Sequence, residues 1–150
     1  MQKKTVDMIA SGIALVWALI QMILIIKPGG LLPTQMRAIH LGFALVLLWL
    51  TKPLTFKRLH LPAAAVLTGK ILLSTLSAAI CAYIFMNAER YDFYSYGYSN
   101  IDKIVSVIGI LLVLYAAYRT LGPALVVITM AFIAYALLGK YIPGNFAHVR

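Results

Sequence analysis

The sequence predicts an all-α, polytopic membrane protein with four or five transmembrane helices, and three observations lead there. Of its 150 residues 63% are hydrophobic and only 11% charged, less than half the roughly 25% of an ordinary soluble domain. The apolar residues are strung into long runs, with a mean hydropathy of +0.93. The basic residues stand at the edges of those runs, where they meet headgroups and set orientation. The whole chain therefore reads as one membrane domain, 1–150.

The first run is Met8–Ile26, preceded by Lys3 and Lys4 and ended by "KPGG" at 27–30. It is too long for a signal-peptide core and lacks a small-x-small cleavage site, so a first span is expected rather than a removed leader. The second, at 36–52, lies between Arg37 and Lys52. That interval is short for a core of about 30 Å, so the cations snorkel or the helix extends back toward Pro33. Trp49 and Thr51 suit a headgroup interface.

Residues 54–69 carry Lys57, Arg58 and His60, with Pro62 placed to open a short helix. An interfacial helix is expected here, with Lys57, Arg58 and Lys70 as interfacial charges. The third span then covers 71–86. A polar segment, Asn87–Lys103, follows and holds Tyr91, Phe93, Tyr94, Tyr96 and Tyr98 with Glu89, Asp92 and Asp102. Tyrosines gather where spans meet headgroups; they also supply contact area at low entropic cost, which makes these five residues a candidate docking surface.

The fourth run, 101–118, and the fifth, 123–138, would together form a helix too long for an ordinary bilayer. "RTLGP" separates them. Gly122 can adopt the left-handed conformation that ends a helix, Pro123 suits a first helical position, and Arg119 reaches headgroups from the turn. A tight hairpin is expected, with Arg119, Gly122 and Pro123 as its structural turn.

A net charge of +9 would suggest nucleic acid in a soluble protein, but no basic stripe with interleaved aromatics appears. With the N-terminus in the cytoplasm, that side receives Lys3, Lys4, Lys52, Lys57, Arg58, Lys70 and Arg119. The other side receives Lys27, Arg37, Arg90, Lys103, Lys140 and Arg150. The 52–58 basic cluster inside, and the acidic residues of 87–103 outside, favour N-in.

Chemistry at depth would need ionisable groups inside the spans, and they are nearly bare. No catalytic set, metal site or cofactor site is expected. Cys81, the single cysteine, reads as a small buried hydrophobe. His40 reads as a hydrogen-bonding residue near the interface; a bis-histidine haem would need a second buried histidine, and His60 and His148 lie outside the runs. Ser74, Ser77, Ala78, Ala79, Gly109, Ala131 and Ala134 allow close helix approach. Such a chain suits a subunit whose partner carries the chemistry.

"YRTLGPALVVITMAFIAYALLGKYIPGNFAH", residues 118–148, resembles the N-terminal part of the fused permeases of tripartite ATP-independent periplasmic (TRAP) transporters of the TAXI type. Arg119, Thr120, Gly122, Ala134, Tyr135, Leu137, Gly139, Pro143, Gly144, Ala147 and His148 match that family's pattern. "RAIHLGFAL" (37–45) with Pro53 resembles its second segment. Pro123 departs from it by following the glycine directly, and "AHVR" stands where the family has Ala-His-Arg-Gly.

The resemblance implies a small (Q-type) scaffold subunit, separate or cut from a fused form, in a bacterial inner membrane. Its implied partners are a large membrane transport subunit and a periplasmic substrate-binding protein. Together they would import an organic anion on an ion gradient, with the substrate site on the partner. The rival expectations are a haem- or quinone-binding anchor of a redox complex and an autonomous small exporter, the latter disfavoured by the lack of an embedded carboxylate.

Overall fold

The computed structural model describes residues 2–27, 29–52, 62–93 and 97–139, and all regular structure among them is helical. The elements are α1 (Gln2–Ile26), α2 (Pro33–Thr51), α3 (Ala63–Met86), α4 (Ala88–Asp92), α5 (Asn100–Leu121) and α6 (Pro123–Leu138). Four of them, α1, α2, α3 and α5, are long and apolar enough to cross a membrane. The protein is thus a polytopic all-α membrane protein. With 16 residues, α6 spans about 24 Å, short of a hydrocarbon core of about 30 Å.

The chain divides into two compact units, Met1–Gly109 and Ile110–Arg150. In the first, α2 is central and packs on α1 and, most extensively, on α3. The contacts define an antiparallel α2–α3 pair. Lys70 meets Leu50, Trp49 meets Ser77, Gly42 lies beside Cys81, and Gln35 reaches Phe85. A Cβ added at Gly42 would stand 3.2 Å from the Cys81 Cβ. Glycine there brings the two helices together, as small residues do in lipid, where no water-driven burial helps.

The structure bears on three expectations. The second helix does extend back to Pro33, and its 19 residues reach about 28 Å. Residues 63–69, expected in a surface helix, are instead the first two turns of α3, which continues unbroken through Lys70. Pro62 stands just ahead of it as N-cap in an extended conformation, and the following Ala-Ala-Ala is strongly helix-forming, so nothing halts the helix at Gly69. Residues 54–61, with Lys57 and Arg58, lie outside the described residues.

Trp49, expected at a headgroup interface, is 1% exposed. Its Nε1 donates to Ser77 Oγ at 2.9 Å, and Ser77 Oγ donates in turn to the Leu73 carbonyl at 2.8 Å. The indole therefore bridges helices, with its polar atom satisfied inside the protein.

In the second unit, α5 and α6 are separated by Gly122 alone. Its φ of +89° and ψ of −178° fall in a region essentially closed to side-chain-bearing residues. Pro123 follows in the first turn of α6, where its missing N–H costs nothing. The helix break thus lies where the sequence placed it, but among the described residues α5 and α6 do not pack on one another as the expected tight hairpin would. No residue of α6 from Pro123 to Leu138 is buried, Ala131 and Ala134 included.

Candidate functional site

Within the first unit, the polar side chains collect where α2 begins, α3 ends and α5 starts. The polar segment 87–103 contains the short helix α4. Its centre is Asp102, only 2% exposed. The Oδ1 atom accepts from Tyr83 Oη at 2.8 Å, Tyr91 Oη at 2.6 Å and the Arg90 guanidinium at 2.5 Å. The Oδ2 atom accepts the Ser99 backbone N–H at 2.6 Å. Four donors thus converge on one carboxylate, three of them on a single oxygen.

Local sequence explains the placement. Ser99 precedes α5, and its Oγ accepts the Ile101 N–H at 3.0 Å while Asp102 reaches back to the Ser99 N–H. That is a reciprocal capping box, Ser-Asn-Ile-Asp, ahead of an apolar run. An acid in the first turn also meets the positive end of the helix dipole. The remaining Asp102 partners arrive from α3 (Tyr83) and α4 (Arg90 and Tyr91), so one carboxylate joins three helices.

A second carboxylate does similar work nearby. Asp92, the last residue of α4, accepts the Thr34 N–H at 3.3 Å and bonds the Thr34 hydroxyl. Leu32, at the N-cap of α2, has no polar side chain, and Pro33 has no N–H. Asp92 therefore caps α2 from 58 residues away, satisfying an orphan donor and opposing the helix dipole. Gln35 completes the end, accepting the Leu32 N–H at 3.0 Å.

These contacts shift the tyrosine. Burial, and then the hydrogen bond to Asp102, push the Tyr91 phenol up to about 12. Its ring also stacks on Tyr98, with centroids 6.3 Å apart, and the Arg90 guanidinium lies 5.5 Å from its centroid.

Of the five aromatics expected to form a docking surface, Tyr91 is thus turned into the cluster. Phe93 and Tyr98 are outward, at 66% and 62% exposed, while Tyr94 and Tyr96 lie outside the described residues. Lys70 donates to the Leu50 carbonyl at 2.9 Å, near the C-terminus of α2, where a cation is favoured. Arg119 occupies the last turn of α5. His40 is exposed and meets Trp17 edge-on, with ring centroids 5.0 Å apart. Cys81 is buried, beside an open apolar groove of about 510 Å³ that includes Gly42, Phe43 and Phe85.

The Asp102 and Asp92 networks were missed in the sequence. Ser99-x-x-Asp102 carried a legible capping signal; the Thr34–Asp92 pair carried none. Among the described residues, no group of three or more His, Cys, Asp or Glu side chains is placed to hold a metal ion. Comparison with protein-family models, with characterised proteins and with solved structures finds no match to this chain.

Proposed function

We infer that the chain is the small scaffold subunit of a TRAP-type transporter, holding a large transport subunit in the membrane while that partner carries substrate and coupling ion. The observation that carries this reading is the use made of the charged groups inside the helices. Asp102 accepts from four structural donors, and Lys70 is bonded to a main-chain carbonyl. Both charges are thus engaged in holding helices together. Broad apolar surface remains for lipid and partner helices, as on α1, where Met8, Leu15, Met22 and Ile26 are 59–72% exposed. The resemblance of residues 118–148 to TAXI-type permeases supplies the family. A bacterial inner-membrane location, an inward N-terminus and docking of a periplasmic protein through Phe93 and Tyr98 belong to the same reading.

The redox-anchor alternative draws less support. His40 lies against Trp17, and the apolar groove beside Cys81 is lined by residues such as Ile13, Val46, Ala82 and Phe85 that offer no hydrogen bond to a quinone oxygen.

The test is to purify the full chain in mild detergent from its native host and identify what co-elutes. A stoichiometric, many-helix permease is the expected partner. A chain that runs alone at every detergent concentration, or one that elutes with a haem Soret band lost in His40→Ala, overturns the reading.

A further inference from the structure

The groove between the start of α1 and the end of α2 has a chemistry that the scaffold role leaves unused. It encloses about 340 Å³ and is lined by Asp7, Ala10, Ser11, Ala14, Leu47 and Thr51. Two alanines on α1 leave the room, and the polar wall has one character. Ser11 Oγ donates its hydrogen to the Asp7 carbonyl at 2.9 Å, and Thr51 Oγ1 donates its own to the Leu47 carbonyl at 2.6 Å. A hydroxyl has a single hydrogen, so each of these offers only lone pairs to anything else. Asp7 adds a carboxylate, which when ionised is also an acceptor alone. A matching ligand must bring several N–H donors and a positive charge.

The surroundings add an opposite requirement. Lys4 lies one turn before Asp7 on α1, and Lys52 directly follows Thr51; both are exposed. Two cations thus flank an acceptor-lined groove at one end of two membrane-spanning helices. A donor-rich cation held next to an anion, at the boundary of an apolar helix pair, describes one class of molecule. We propose that this groove binds a phospholipid bearing a primary ammonium, of the phosphatidylethanolamine kind. The ammonium meets Asp7, Ser11 and Thr51, the phosphate meets Lys4 and Lys52, and the acyl chains run along the exposed apolar face of α1. The inference does not depend on the transporter reading.

Phosphatidylcholine supplies the control, because it has the same phosphate and net charge but a trimethylated nitrogen with no N–H. The purified full chain is titrated by native mass spectrometry with the two lipids, matched in acyl chains. The ethanolamine lipid is expected to bind at least about tenfold more tightly, since hydrogen bonds to charged groups are the strong ones. Asp7→Asn should remove that preference, and the Ser11→Ala/Thr51→Val pair should reduce it, with helical circular dichroism unchanged. Lys52→Gln should weaken both lipids alike. Equal binding of the two lipids by the unaltered chain overturns the proposal, as does a preference that persists in both acceptor variants.

Discussion

The antiparallel pair α2–α3 is held differently at its two ends. Where α2 begins, Asp92 and Asp102 gather donors from α2, α3, α4 and the turn before α5. Where α2 finishes, the side-chain bonds seen among the described residues are Trp49 to Ser77 and Lys70 to the Leu50 carbonyl, which share no atom. In lipid the helices gain little from apolar burial against one another, so packing and polar bonds must supply their association. The first end is built on two anions, each shared by more than one donor. The second is modular, and either bond can be removed while the other stands.

Substitutions can break that contrast. The largest loss is expected from Asp102→Ala, which strands Arg90, Tyr83, Tyr91 and the Ser99 N–H together. Folded monomer should be recovered poorly, and a variant that unfolds no earlier than the next one would remove the distinction between the ends.

Trp49→Ala should cost roughly 3 kcal/mol in detergent unfolding, toward the low end for such truncations because lipid rather than water is the alternative surrounding. Gly42→Leu drives a side chain into Cys81 and should cost about 1–3 kcal/mol, as overpacking does. Adding Cys81→Ala should return part of that loss, which a double-mutant cycle would read.

Thr34→Val removes one donor from Asp92 and should cost about 1 kcal/mol. It tests whether capping across the fold matters as much as the Asp102 network.

The smallest effect is spectroscopic. Tyr91, raised to about 12, should ionise well after ordinary tyrosines near about 10. The raised value means the neutral phenol is favoured by folding. Its contribution is complete below about pH 10 and is lost as the pH climbs through about 12. The difference between alkaline absorbance titrations of the unaltered chain and Tyr91→Phe should therefore lack a step near 10 and show one near 12.

What was legible in the sequence follows from how local each cause is. Long apolar runs mark spans because hydrocarbon thickness dictates their length. The break at Gly122–Pro123 was legible because a backbone conformation and a missing N–H are properties of those two residues themselves. The bond made by Lys70 was not, since its partner is a carbonyl on another helix. The burial of Trp49 was not legible for a related reason: near the end of an apolar segment, an indole packed between helices and an exposed one are written alike. The polar cluster lay between these cases. Its capping half, Ser99 with Asp102, is local; its Tyr83, Arg90 and Thr34 partners are brought together only by the fold.

The order of the Asp102 partners along the chain has a consequence for assembly. A ribosome delivers Trp49 and Ser77 before Arg90, and Arg90 before Asp102. The α2–α3 hairpin can therefore close on its modular end while α5 is still unmade. Arg90, Tyr83 and Tyr91 then wait without their shared anion until the start of α5 emerges. The network around this carboxylate can therefore be completed only after the first turn of the next span has been made.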